Sequence, residues 1–365
     1  MLRKSVTIQD IAILAGVSTA TVSRALSDPH RVAVRTRAAV MEAVTQTGYQ
    51  INSTARNLRL KRTGSILALV PDLANPFFSE ILAGLASVLS AAGFGLLVAD
   101  TRTEPDPLMN LDDVLNKGLA DGIVVFDGAL IGDVRMDQLR VPVVAACEWG
   151  EFELPWVRID NEAAAAMAVD HLVAMGHRTI GHVTGPDGNV LTSSRLEGTR
   201  MALERHGIEL PPEWIIPGDF GLASGALAAR RWLALERRPS ALFCASDQMA
   251  CGLIGELRNN GVTVPAELSV VGFDDIDLAA HLTPALTTIR QPRFLIGERS
   301  AKMLTAVIEN ADPWPASELI PVELVQRQSV AQYPASLSLP IAAIERDGGP
   351  GGTRTPNQAV MSRRL

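Results

Sequence analysis

Apolar positions in the first fifty residues recur at helical spacing, and from residue 65 onward they gather into short runs separated by longer amphipathic stretches. In TIQDIAILAGVSTATVSRAL, residues 7–26, Ile8, Ile11, Ala12 and Ala15 share one helical face, and Thr7 followed by Asp10 gives a capping-box start. Ala15-Gly16 supplies a tight turn, Val17 a buried plug, and Ser18 an N-cap for a second helix whose Val22 and Leu26 face the first. After Ser27-Asp28-Pro29 a third helix is predicted from about Val34 to Thr47, with Val40, Met41 and Val44 inward and Gly48 as its stop. The next stretch, INSTARNLRLKRTG, has an N-cap candidate in Asn52 but is too short to hold a helix alone.

The later pattern reads as parallel strands with crossover helices. SILALV precedes a helix from Phe77 to Ala92, and FGLLVAD one from Leu108 to Lys117; GIVVF and VPVVAA follow. A second series comprises Glu162 to Met175, TIGHVTG, Ser194 to His206, Ala223 to Leu235, ALFCAS, Gln248 to Asn260 and LSVVGF. Two such arrays predict an α/β core of two doubly wound parallel-sheet subdomains facing across a cleft, with ligand at the C-terminal ends of the strands. Beyond Tyr333, clustered Gly and Pro without periodicity read as a flexible tail, residues 334–365.

Charge divides the chain in the same place as the pattern. Residues 1–63 hold ten Lys and Arg against three acids, whereas the remainder holds 23 against 37. That asymmetry points to a nucleic-acid module joined to something else. The N-terminus is polar and no apolar run reaches membrane-spanning length, so neither signal peptide nor membrane segment is expected, and the cytoplasm is the expected location. Cys147, Cys244 and Cys251 lack C-x-x-C spacing and read as reduced core thiols.

The outer face of the second helix carries Thr19, Ala20, Thr21, Ser23 and Arg24, short polar residues plus one guanidinium that reaches a guanine edge or a phosphate when the helix lies in a major groove. Enzymatic readings lack support. No dinucleotide fingerprint or P-loop follows the first strand, where VPDLANPFF stands instead. His171, His177 and His182 fit no metal-ligand spacing, and Ser193, Ser194 and the cysteines sit in no nucleophile elbow. No cofactor or metal is expected. A transport-type binding protein would need a signal peptide and would not need residues 7–62.

Taken together, TIQDIAILAGVSTATVSRAL, NSTARNLR, VPDLANPFF and SVVGFDDIDLAAHLTPALTTIRQP resemble the LacI/GalR family of bacterial transcription regulators, in order and at family spacing over about residues 6–330. The resemblance implies a helix-turn-helix headpiece (1–50), a hinge (51–63) and a periplasmic-binding-protein-like core (64–333) that dimerises. Its N-subdomain would cover about 64–160 and 292–321 and its C-subdomain 161–291 and 322–333, with crossovers near Asp160, Gln291 and Pro321. It places Thr19, Ala20 and Arg24 where the family reads bases, Ser18, Thr21 and Ser23 where it meets phosphates, and Leu58 where it wedges the minor groove; Thr7, Asn52 and Ala55 join the DNA-facing set. Paired hinges imply a pseudo-palindromic operator in double-stranded DNA.

In the cleft, Phe77, Phe78, Arg195, Phe220, Ser246 and Asp274 match effector-contact positions. Aromatic rings stack on a base or sugar face, an Arg offers a fork of donors and an Asp accepts from two hydroxyls, which suits a small polar effector. Many sugar-responsive members carry Asn where this chain has Ser246, which weakens a hexose reading; the resemblance implies a nucleoside, cytidine or a relative, with a pentose or hexose as the alternative.

Overall fold

The computed structural model describes residues 6–27, 29–49, 62–102, 119–133, 141–150, 154–309 and 316–333. Asn52, Ala55 and Leu58, the expected Leu108 to Lys117 helix and the tail beyond Tyr333 lie outside them.

The headpiece is three helices, α1 (Ile8–Ala15), α2 (Thr19–Ser27) and α3 (Val34–Thr47). Thr7 and Asp10 close the capping box reciprocally, and Gly16 ends α1 in the left-handed region at φ 65°. Ile11, Ala12, Val22, Ala25, Val40 and Ala43 form the small core. Two expectations shift. Met41 is 45% exposed while Ala43 is buried, because α3 turns that narrower face inward; Val17 packs on the core only half-buried.

Residues 62–333 build two six-stranded sheets. The first runs β11 (Glu318–Leu319), β5 (Trp156–Arg158), β4 (Val143–Ala146), β3 (Gly122–Val125), β1 (Ser65–Val70) and β2 (Gly95–Asp100) in spatial order, all pairs parallel. The second runs β12 (Glu323–Val325), β10 (Thr287–Arg290), β9 (Ser269–Asp274), β8 (Ala241–Cys244), β6 (Ile180–Val183) and β7 (Ile215–Ile216), with only the β10–β12 pair antiparallel. The chain passes between sheets after β5, after β10 and after β11. One buried cluster runs through both, from Ile66, Phe78 and Val144 to Phe243, Phe273 and Ile289.

Helices α4 (Phe77–Ala91), α5 (Gly128–Asp133), α6 (Asn161–Ala174), α7 (Val190–Arg205), α8 (Leu222–Ala234), α9 (Asp247–Asn259), α10 (Asp277–His281) and α11 (Arg293–Ile308) connect the strands. Helix α7 starts four residues before the predicted Ser194, because Asn189 caps it by accepting from Leu191 N and Thr192 N. Several helix pairs meet backbone to backbone. A Cβ on Gly84 of α4 would lie 2.1 Å from Phe294 O of α11, and one on Gly297 2.0 Å from Ile81 O, so each glycine lets the opposite helix settle against it.

Of His171, His177 and His182, the last two are structural. His177 Nδ1 lies 2.8 Å from Ser240 Oγ and its Nε2 2.9 Å from Ser269 Oγ. Thr199 Oγ1 donates to Arg195 O, so it accepts from His182 Nδ1 at 2.8 Å and leaves Nε2 the unprotonated nitrogen. Burial pulls His177 down to about 4 and His182 to about 3. Both pKa values fall below the usual one, so the rings stay neutral where exposed histidines are charged. Their C2–H resonances are expected not to shift between pH 8 and pH 5; a midpoint near 6.5 at either ring would show it to be solvated.

Candidate functional site

A cavity of about 200 Å³ lies between the two sheets, lined by all six cleft residues picked out in the sequence, Phe77, Phe78, Arg195, Phe220, Ser246 and Asp274. Much of the lining follows from how the strands end. Pro71, Phe126, Cys147, Ser246 and Asp274 sit at or just past the C-terminal ends of β1, β3, β4, β8 and β9, where parallel strands leave a crevice. Phe77 and Phe78 open α4, started by Asn75 Oδ1 accepting from Phe77 N at 2.9 Å.

Among the described residues, the non-glycine residues with positive φ are Cys147 (68°), Phe220 (67°), Asp274 (116°) and Asp275 (54°). Three of them line this one cavity and the fourth adjoins it. Such backbone costs about 1–3 kcal/mol per residue and persists where surrounding structure holds it, most often at functional sites. The surroundings here are explicit. Ser246 Oγ donates to Phe220 O at 2.9 Å while accepting from Met249 N at the start of α9. The Phe220 ring rests where Gly185 leaves room: a Cβ there would come within 2.1 Å of it. The resemblance makes Ser246 an effector contact, yet its hydroxyl proton is committed to the fold.

Arg195 is 3% exposed. Its Nε donates to Asn161 Oδ1 at 2.9 Å and its Nη1 to Ala245 O at 2.6 Å. The guanidinium stacks 3.9 Å from the Phe273 ring centroid and 5.5 Å from that of Phe220, so the side chain is fixed before any ligand arrives. Asp274 Oδ1 accepts from Gln291 Nε2 at 2.7 Å. Burial pushes its carboxyl up to about 6, against the downward pull of Arg195. Phe77, Phe78 and Phe126 meet edge to face with centroids 5.0 and 5.8 Å apart.

The sequence reading missed Glu148. Its Oε2 accepts from Gly128 N at 2.8 Å and its Oε1 from Asn189 Nδ2 at 3.0 Å, joining α5 of the first sheet's side to the cap of α7 on the second. Burial raises its pKa, opposed by the Gly128 and Asn189 hydrogen bonds. A signal was present, since Glu148 stands just past the strand VPVVAA; the carboxylate needed only to be read as a strand-end residue. Cys147, expected in the core, belongs to the buried cluster and also reaches the cavity wall, with burial raising its thiol pKa. No cluster suited to a metal ion occurs among the described residues.

On the headpiece, Ser18, Thr19, Ala20 and Arg24 are exposed along α2, with Thr21 and Ser23 half-buried. Ser18 Oγ accepts from Thr21 N at 3.2 Å and shares a 2.9 Å hydrogen bond with Thr21 Oγ1. Thr7 Oγ1 donates to Asp10 at 2.8 Å, within the α1 cap. No helix among the described residues is long and apolar enough to cross a membrane.

Residues 7–52 match the family model for bacterial regulatory proteins of the lacI family, and residues 169–330 that for a periplasmic binding protein-like domain. The HTH-type transcriptional repressor CytR of Escherichia coli (strain K12) is 38% identical over 331 residues, covering 90% of this chain and 97% of that protein. The HTH-type transcriptional repressor PurR of Mannheimia succiniciproducens is 34% identical over 330 residues, covering 89% and 98%. Among solved structures, the lac repressor dimer bound to operator and the anti-inducer ONPF superposes with a TM-score of 0.78 at 29% identity, over 90% of this chain and all of that one. A complex of the transcriptional regulator CelR with cellobiose gives 0.68 at 31% identity, covering 89% and 99%. With a helix-turn-helix headpiece ahead of two parallel-sheet subdomains that enclose a cavity, the chain belongs to the lacI family of bacterial regulatory proteins and is a DNA-binding transcriptional regulator with an effector-binding core.

Proposed function

We propose that this regulator is a cytoplasmic homodimeric repressor whose effector is a nucleoside, cytidine or a close relative, held in the cavity between the subdomains. The observation that carries the site is the convergence of Cys147, Phe220 and Asp274, each in a strained backbone conformation, on one cavity with a prepositioned Arg195. Its volume of about 200 Å³ is below the ~300 Å³ at which drug-sized sites begin and suits one nucleoside or monosaccharide. Phenyl faces on the α4 side supply stacking surface for a base, while Asp274 and Glu148 accept from hydroxyl or amino donors. The wall carries three carboxylates, Asp127, Glu148 and Asp274, against two guanidiniums, Arg102 and Arg195. Arg102 pairs with Asp72 at 3.3 Å. Among the described lining residues carboxylates outnumber guanidiniums, which favours a nucleoside over a nucleotide. The sequence pattern, which resembles that of a cytidine-responsive repressor, supports the same class. The second reading, a pentose or hexose, is favoured by a solved lacI-family regulator from Enterococcus faecium with bound ribose.

Calorimetric titration with cytidine, cytidine monophosphate, ribose and a hexose separates these readings. Cytidine is expected to bind and its monophosphate to bind much less; binding of the hexose with none of cytidine would overturn the nucleoside assignment.

For the DNA face we propose Thr7, Ser18, Thr19, Ala20, Thr21, Ser23, Arg24, Asn52, Ala55 and Leu58. Operator affinity is expected to fall steeply with salt as phosphates release counterions. If Arg24 reads a base, Arg24→Ala costs ~1–3 kcal/mol on the operator and relaxes one position in each half-site. Equal losses on operator and random DNA, measured by fluorescence anisotropy, would reduce Arg24 to a phosphate contact.

A further inference from the structure

Arg293 carries a buried guanidinium with no part in the cavity wall, and its partners come from both subdomains. It is 4% exposed. Its Nη2 donates to Asp275 O at 3.1 Å and lies 3.4 Å from Asp277 Oδ1 and 3.2 Å from Glu80 Oε2; its Nη1 reaches Pro76 O at 3.4 Å. Pro76 and Glu80 flank Phe77 and Phe78, and Asp275 follows Asp274. One side chain therefore ties together the two segments that form opposite walls of the cavity. Any change in their separation acts on Arg293.

Arg293 is also the first residue of α11, 16 residues long, or about 24 Å at ~1.5 Å per residue. This helix is locked to α4 by the Gly84 and Gly297 contacts described above, so it moves as one body with the wall that carries Phe77. Its far end meets the start of the core. Ile308 O accepts from Arg62 Nη2 at 3.4 Å. A Cβ on Gly122 would lie 3.0 Å from Leu304 Cδ1 and 3.1 Å from Ile308 Cδ1. The neighbouring Asp121 carboxylate accepts from Thr63 N at 2.7 Å and Gly64 N at 2.8 Å. Residues 62–64 are where the segment leading from the headpiece enters the core.

We infer that α11 is the link between effector cavity and DNA-binding hinge, with Arg293 as the positioning residue at its cavity end and the Arg62 and Asp121 contacts as its output. The inference rests on the reading of the cavity as the effector site and extends it to how occupancy reaches the DNA. Two sites couple only through an element whose arrangement both bias. Arg293 senses the distance between the cavity walls, and the last turn of α11 sets the footing of the hinge.

Hydrogen exchange on the full-length protein tests the link without any effector. Thr63 and Gly64 N–H are protected by Asp121, so their exchange reports on the footing directly. Arg293→Met, which keeps side-chain length and removes the charge, is expected to speed exchange at Thr63 and Gly64 by about tenfold or more, through local opening, while β6 and β8 keep their protection. Changes confined to residues 76–80 and 275–277, or a uniform rise across both sheets, would overturn the inference by showing a local or merely structural role. Glu80→Gln, which removes one half-exposed partner, is the second variant should Arg293→Met fail to fold; it is expected to act in the same direction, and unchanged Thr63 and Gly64 in that folded protein would equally overturn the link. A second arm measures the ratio of operator affinities with and without cytidine, on a duplex selected from random sequence by the parent. That ratio is expected to move toward one in either variant while cytidine affinity in the absence of DNA changes less than threefold; a ratio held at the parental value overturns the inference. A parent that ignores cytidine would sink the nucleoside reading, and the exchange arm would still decide the link.

Discussion

Arg195→Ala is expected to abolish the effector response and to destabilise the core by about 3–5 kcal/mol, the usual cost of removing one member of a buried charged network. The guanidinium does two jobs at once. It holds Asn161, where the chain crosses between sheets, to the Ala245 carbonyl at the end of β8, and it faces Asp274 and Glu148 across the cavity. Removing it leaves an amide oxygen and a carbonyl without their donor, and two buried carboxylates without the nearby positive charge. Asp274→Ala differs, since among the described residues its carboxylate takes one side-chain hydrogen bond, from the Gln291 amide. That variant is expected to weaken effector binding by ~2 kcal/mol or more, about thirtyfold, with a smaller loss of stability. Because burial holds the Asp274 carboxyl at about 6, parental affinity is expected to fall as the pH drops below that value and the acceptor becomes protonated. Urea denaturation beside calorimetry separates the effects. Parental effector affinity in both folded variants would remove these residues from the site.

The second large effect concerns packing. Gly252→Ala is expected to lower stability by about 1–3 kcal/mol, because its Cβ would stand 1.9 Å from Leu222 O and force α8 and α9 apart. Gly255, one turn later on the same helix, has nothing within 4 Å of its would-be Cβ. Gly255→Ala is accordingly expected to stabilise by ~0.5–1 kcal/mol through helix propensity alone. The two urea midpoints should move in opposite directions. A Gly252→Ala midpoint at or above the parent's would mean that the helices separate freely.

Much of the architecture was legible in the chain because the relevant signals are local. Helical spacing, the Thr7 and Asp10 cap and Gly16 specify the headpiece helices, and runs such as SILALV and LSVVGF specify strands buried on both faces. The alternation of those runs with helices implies parallel sheets, and parallel sheets imply a crevice at the strand ends. The six cleft residues were legible mainly through resemblance. Their spacing alone does not distinguish a cavity wall from a core, and Phe77 and Phe78 are in fact buried in the continuous cluster while also facing the cavity.

What only the tertiary structure decided is which polar groups are already spent. Ser246 reads as a ligand contact, but its hydroxyl holds Phe220 and caps α9, because a strand end, a loop and a helix start meet there from sequence positions 26 residues apart. Glu148 reads as one acid among many until Gly128 and Asn189 converge on it from opposite subdomains. Arg293 carries no local mark at all; its role comes from four partners whose sequence separations range from 16 to 217 residues. The sequence by itself determines which elements form and where a cleft must open, since both follow from short-range periodicity and the hand of parallel crossovers. Which side chains are free to meet a ligand depends on hydrogen bonds and burial between segments far apart in the chain, and those exist only once the sheets have packed.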